Sequence, residues 1–370
     1  MQIKINKLPK SEVEIEGSLE ATVFEGYFNK ALKKIGENIE LDGFRKGKVP
    51  EKILLEKVPE IKILEEMAEL ALGEHYPKII EDEKLDVISR PEISITKLAR
   101  NNPLEFKIKT AIMPEIKLPD YKKISQKTIS EISEKEKDIT ISEKEIEDTI
   151  MDIRKSRAHK VHMAESVPHE HKEGEEHDHS HEPARPADAS HAGEEIPAEL
   201  PEFNDEFVQQ VGPFKDVTDF REKLKVNMKL EKENQLKEKT RLRIVEKIID
   251  GAEIDLPEVL VEVELDKILY RMESDISQMG LKFEDYLKHL NKTIEDLRKE
   301  FRGDAEKKAK LALVLNKISE IEKIEPDPEQ VTNEVAMILE HYKEADPERA
   351  RMHAENILTN EKIFQFLETQ

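Results

Sequence analysis

No phenylalanine, tyrosine or tryptophan occurs between Tyr121 and Phe203, and residues 159–199 hold almost no large apolar side chain. Such a stretch cannot bury enough surface to offset the entropy of ordering it, so it is expected to be a disordered linker. The chain must therefore fold from what lies on either side. Its 370 residues suffice for two or three domains. Charged residues make up 38% and aromatics 5%, with no tryptophan, which predicts much exposed, elongated helix. The expected divisions are 1–112, a connector and helix at 113–158, the linker at 159–199, and a helical region at 200–370.

The first region mixes two periods. Ile3 and Ile5, then Val13, Ile15, Gly17 and Leu19, alternate with polar residues as strands with one wet face do. From Ala21 to about Asn38 the period is helical. A short helix after Pro50 and a longer one through Leu64, Ala68 and Leu72 follow, and Pro77 should kink or end the latter. Alternation returns at Ile93 and Ile95 and at Leu104, Phe106 and Ile108. The result is an α+β domain, helices on an antiparallel sheet. Pro114, Pro119, Ile124, Ile129 and Ile132 predict an extended connector. Ser142 with Glu145 has the spacing of a capping box and starts a helix.

After Leu200 the period is helical almost throughout, predicting an all-α domain with projecting arms. Phe220, Leu224, Leu236, Leu242, Val245 and Ile249 mark one long helix, stopped by Gly251. Further helices start at Leu256-Pro257, at Thr293 with Asp296, after Pro326-Asp327 and at Asp346-Pro347. Met272, Met279, Met337 and Met352 suit either an adaptable apolar surface, since thioethers are flexible, or equally the core.

Between the first two helical patterns lies Gly43-Phe44-Arg45-Lys46-Gly47-Lys48-Val49-Pro50. Two glycines can bend the backbone sharply, and Pro50 suits the first turn of the next helix. Phe44, Arg45, Lys46 and Lys48 are thereby directed outward, three cations and one ring fit for phosphate, carboxylate or an apolar pocket; composition alone favours the alternative that Phe44 folds back onto its own domain and the cations form a solvated turn. With a net charge of −22, any contact with nucleic acid must be confined to such a basic turn.

This run resembles the ribosome-docking signature of the trigger factor family: Gly-Phe-Arg, any residue, Gly-Lys, any residue, Pro. Gly43, Phe44, Arg45, Gly47, Lys48 and Pro50 meet every fixed position. The resemblance implies that Phe44, Arg45 and Lys46 contact ribosomal RNA and a protein of the large subunit beside the exit tunnel. Leu200 to Phe207 is similar to the entry of the family's C-terminal domain. It implies an ATP-independent holdase for nascent chains, with no cofactor and no membrane partner. A second copy of the chain, away from the ribosome, is a further expected partner. Relatives carry an FKBP-type prolyl isomerase domain after the connector, whose aromatic-lined pocket has no counterpart between Tyr121 and Phe203. The chain is thus expected to be no enzyme.

Other features are consistent. There is no cysteine, no phosphate-binding loop and no dinucleotide fingerprint, and no run reaches the about 18 apolar residues of a membrane span. A soluble, cytoplasmic protein is expected. Eight of the twelve histidines lie in 159–199. His177, His179 and His181 are the candidate ligands for Zn²⁺ or Ni²⁺, although a weakly pH-responsive tether is the favoured role. Retained isomerase activity and metal handling are the two rival functions.

Overall fold

Two alternating stretches meet in strands β1 (Gln2–Leu8) and β2 (Glu12–Leu19), the start of an antiparallel sheet. The computed structural model describes residues 1–40, 44, 47, 49–165 and 200–370, with backbone only at 134, 135 and 159–165. Helices α1 (Ala21–Glu25), α2 (Phe28–Asn38), α3 (Glu51–Lys57) and α4 (Glu60–Asp82) follow. Strands β3 (Glu92–Lys97) and β4 (Leu104–Ala111) complete a four-stranded sheet of order β1-β2-β4-β3.

Register explains the core. Ile5 faces Ile15, Ile15 faces Ile108 and Ile108 faces Ile93, so one sheet face is apolar. Helices α1, α2 and α4 cover it, burying Ile15, Phe106 and Ile108 with Phe24, Leu32, Met67 and Ile79. The Phe106 ring lies flat over Gly17, where a Cβ would stand 2.2 Å from Cζ. Only glycine admits that approach. Edge strand β3 lies beyond the helical cover, leaving Ile93 and Ile95 exposed. At the break between α1 and α2, Glu25 receives Nε and Nη2 of Arg100 at 3.1 and 3.0 Å and the Asn101 amide at 2.7 Å. The guanidinium, with that amide, holds the Glu25 carboxyl below its usual range.

Helix α4 does not end at Pro77 but continues to Asp82. The missing bond and ring clash are outweighed because Ile79 beyond the proline is fully buried.

The expected extended connector is corrected in the same way. After β5 (Ile116–Lys117), residues Tyr121–Ser130 form helix α5, followed by α6 (Glu134–Lys137). Tyr121, Ser125 and Thr128 are the buried positions of α5, at helical spacing with two small polar members, and Ile132 is buried just beyond its end. Burial and the Glu322 carboxylate, 2.5 Å from its hydroxyl, push the Tyr121 phenol up to about 12.

Helix α7 (Glu143–Glu165) opens with the expected box: Glu145 accepts from the Ser142 amide and hydroxyl, both at 2.9 Å. It runs to Glu165, so the first seven residues of the expected linker are helical. Residues 166–199 lie outside the described residues.

Helices α8 (Asp205–Val211) and α9 (Val217–Gly251) come next, the latter ending at Gly251 as expected. Strand β6 (Glu253–Ile254) pairs with β5. Then follow α10 (Glu258–Gln278), α11 (Phe283–Leu290), α12 (Ile294–Glu322), α13 (Pro328–His341) and α14 (Pro347–Glu368). Thr293 and Asp296 form a further capping box, as Ser133 and Glu136 do at α6, and Asp327 and Asp346 cap α13 and α14. Leu242, expected on the packed face of α9, is exposed; Ile244, Val245 and Ile248 are buried.

Contacts divide the chain into two units, Met1–Lys127 with Ile244–Gln370 and Thr128–Arg243. The expected 200–370 region is thus distributed over both. The second unit has its own core: Ile146 and Ile150 of α7 pack with Phe207, Val208 and Phe220. Phe203 and Phe214 meet Phe220 edge-on at 5.7 and 4.8 Å between ring centroids.

Candidate functional site: an exposed turn and an open helical surface

The turn after α2 is tied down at both ends. At its start the Ile39 amide donates to the Ile35 carbonyl at 2.9 Å, and Asn38 Nδ2 donates to the Lys34 carbonyl at 3.1 Å. At its end Pro50 caps α3, its carbonyl accepting from Ile53 and Leu54. Pro50 thus sits just before the helix rather than in its first turn. Ile39 and Val49 pack against the head core, and Leu54 is buried in it.

Between those anchors Phe44 is 40% exposed. Gly47 has φ +77, a left-handed conformation that favours glycine. Gly43, Arg45, Lys46 and Lys48 lie outside the described residues. At the foot of the turn, Lys34 is held by Glu66 at 2.6 Å and Glu69 at 3.2 Å, and the two carboxylates raise its ammonium above the usual value. That cation is already neutralised within the head. His177, His179 and His181 also lie outside the described residues. Among the described residues no group of three or more His, Cys, Asp or Glu could hold a metal.

The second element is the hairpin of α10 and α12, crossed by α11. Its interior is thin: Val261, Leu265 and Ala305 form one cluster and Leu269, Leu287 and Leu297 the next. Charged rows reinforce it, Arg298 reaching Glu262 at 2.5 Å and Asp266 at 2.7 Å, and Arg302 reaching Glu258 at 2.5 Å. So narrow a core leaves large side chains outside. Tyr270 is 75% and Met279 76% exposed, with Leu281, Leu290 and Ile294 also exposed. A cleft of about 510 Å³ is lined by Ile268, Met272, Ile276, Met279 and Tyr286. Another of about 730 Å³ is lined by Leu269, Tyr270, Leu281, Phe283 and Ile294. Both carry charged rims.

Of the four methionines picked out by sequence, Met279, Met337 and Met352 are exposed, the last at 70%. Met272 instead packs partly against the Leu269 cluster. Tyr270 and Tyr342 are exposed residues that sequence reasoning missed. The available signal was that Tyr270 falls off the stripe of Val261, Leu265, Ile268, Leu269 and Met272. Among the described residues no helix is long and apolar enough to cross a membrane.

An α+β head with a bracketed turn that exposes Phe44, joined to helices that keep large apolar side chains in open clefts, is the architecture of a chaperone. Comparison with known proteins agrees. Residues 1–153 match the family described as bacterial trigger factor protein, and residues 216–367 match the trigger factor C-terminus. Trigger factor of Halalkalibacterium halodurans is 25% identical over 399 residues, covering 93% of this chain and 91% of that protein. Trigger factor of Bacillus subtilis is 25% identical over 390 residues, covering 92% of each. A solved structure from a study of promiscuous substrate recognition by the trigger factor chaperone aligns over all of both chains with a TM-score of 0.55 and 19% identity, a likeness of fold. The chain belongs to the trigger factor family of ribosome-associated chaperones.

Proposed function

We propose that this cytoplasmic chain docks on the large ribosomal subunit through residues 43–50 and holds emerging polypeptide, without ATP, on the open surface of its C-terminal helices. The observation that carries the docking assignment is Phe44, exposed in a turn tied at both ends to the head core and set in the family's signature order. Arg45 and Lys46 then meet ribosomal RNA phosphate while Phe44 enters an apolar site on the neighbouring protein. Exposed Tyr270, Met279 and Met352 supply the client surface. A second copy covers that surface when the chain is off the ribosome.

The chain works without the isomerase. Residues 154–215 lie between the two matched segments. The phenylalanines nearest that position, Phe203, Phe207 and Phe214, support this reading because they pack edge-on into a core.

Replacing Phe44, Arg45 and Lys46 by alanine should abolish co-sedimentation with ribosomes while changing stability by about 0.5 kcal/mol or less per site. Rising salt should weaken wild-type binding. Full ribosome affinity in the triple variant would refute the docking assignment. Turnover of an Xaa-Pro peptide blocked by an FKBP ligand would refute the lack of isomerase.

A further inference from the structure

The turn joining β1 to β2 is strained and has a distant partner. Lys10 and Ser11 both adopt left-handed conformations, φ 61 and φ 49, with no glycine to relieve them. Such a turn aims successive amides at one point and makes a small anion-binding nest. A single carboxylate fills it: Asp255 accepts from the Lys10 amide at 2.9 Å through Oδ1 and from the Ser11 amide at 2.8 Å through Oδ2. Ser11 Oγ donates back to the Asp255 carbonyl at 2.6 Å, and Lys10 Nζ reaches Glu258 at 2.7 Å. Glu258 also receives Arg302 of α12, so the turn connects to the hairpin through one ion-pair row. Beside it β5 and β6 pair over two residues, Ile116 with Ile254 and Lys117 with Glu253.

We infer that Asp255 is a releasable latch that positions the α+β head on the α10–α12 hairpin, with the β5–β6 pair as the hinge. The latch groups belong to neither the head core nor the hairpin clusters, so it opens without unfolding either. Lys10 and Glu258 are 57% and 34% exposed, which lets water and salt compete for the bonds. In a holdase, such a joint adjusts the distance between the docking turn and the client surface. The latch itself does not rest on ribosome docking, and its test uses no ribosome.

The chain has no cysteine, so spin labels at Ser94→Cys and Lys299→Cys report the head-to-hairpin distance cleanly in the full-length protein. The wild type should give one narrow distance distribution at low salt that broadens as salt rises. Asp255→Asn turns an amide nitrogen towards one of the two N–H donors and loses that bond. Its distribution should be at least about twofold wider at low salt, and exchange of the Lys10 and Ser11 amides about tenfold faster. Protection of the amides of Ile15, Phe106 and Leu265 should be unchanged. A distribution as narrow as wild type in Asp255→Asn would overturn the latch. So would widening accompanied by lost protection across the β1–β2 pairs from Lys4 to Leu8, because Asp255 would then only shape the turn.

Discussion

The α+β head and the α7–α9 unit both fold around phenylalanine, but they do so on different scales. The head gathers eighteen buried residues into one cluster, continuous from Ile15 on the sheet to Ile79 on α4. The α7–α9 unit has six, and exposed charge ties its helices together: Arg221 on Glu147 and Lys232 on Glu145 beside that cluster, and Arg243 and Lys239 on Glu136 further along α9. A large core tolerates loss of its periphery. A small one depends on it.

The largest effect should come from Phe106→Ala. Its ring is buried over Gly17, whose missing Cβ offers nothing to fill the void, so unfolding free energy should fall by about 4 kcal/mol in denaturant titration. A loss under about 1.5 kcal/mol would mean that the head is not one cooperative core.

Phe220→Ala in the smaller unit should cost about 3 kcal/mol, since Phe203 and Phe214 both lose their edge-on partner. The loss should be local. Hydrogen exchange should quicken through α8 and the first turns of α9 while β1, β2 and β4 keep their protection. Uniform loss across both regions would erase the distinction between them.

Replacing residues 166–199 by a short Gly/Ser bridge should do much less. Arg154 already donates to the Pro201 carbonyl at 2.8 Å, joining α7 to the returning chain from within the described fold. Shortening the closed loop changes its entropy by about 1 kcal/mol or less, in the stabilising direction. Suppression of client aggregation should stay near its full level, whereas deletion after Leu200 should remove most of it. Loss of suppression on excision alone would move client binding into the segment.

What could be read from sequence divides along local and distant interactions. The boxes at Ser142 and Thr293 and the caps at Asp327 and Asp346 act over a few residues, and all four helices start where that chemistry places them. Phe44 could be read as outward because its turn is bracketed locally by a glycine and a proline. Helix α5 could not be, because Ser125 and Thr128 are two of its three buried positions and break the apolar period. In α9, dense charge leaves Leu242 and Ile244 equally eligible for the packed face, and neighbouring helices decide between them. Exposure of Tyr270 likewise depends on what α11 and α12 leave uncovered. The Asp255 contact spans 245 positions with no motif at either end.

The smallest predicted effect tests whether charge between the helices distinguishes the two regions. Glu136 is held at about 2 chiefly by the Arg243 guanidinium and then by Lys239, and Glu145 at about 2 by Lys232 and the Ser142 box. Both folded-state values are depressed below the roughly 4.3 of a free glutamate. The stabilisation is therefore complete above that value and is lost as pH falls towards 2. In the head, Glu16 and Glu25 are shifted the same way by Lys107 and Arg100, but they border a core three times as populous. Methyl signals of Ile146 and Ile150 should therefore broaden or shift between about pH 4.5 and pH 2, ahead of those of Ile15 and Ile108. Glu136→Gln with Glu145→Gln should flatten that dependence, because the substituted amides do not titrate. If the Ile146 and Ile150 signals move in the double variant as they do in the wild type, other groups govern the acid response and these pairs are incidental to the small core.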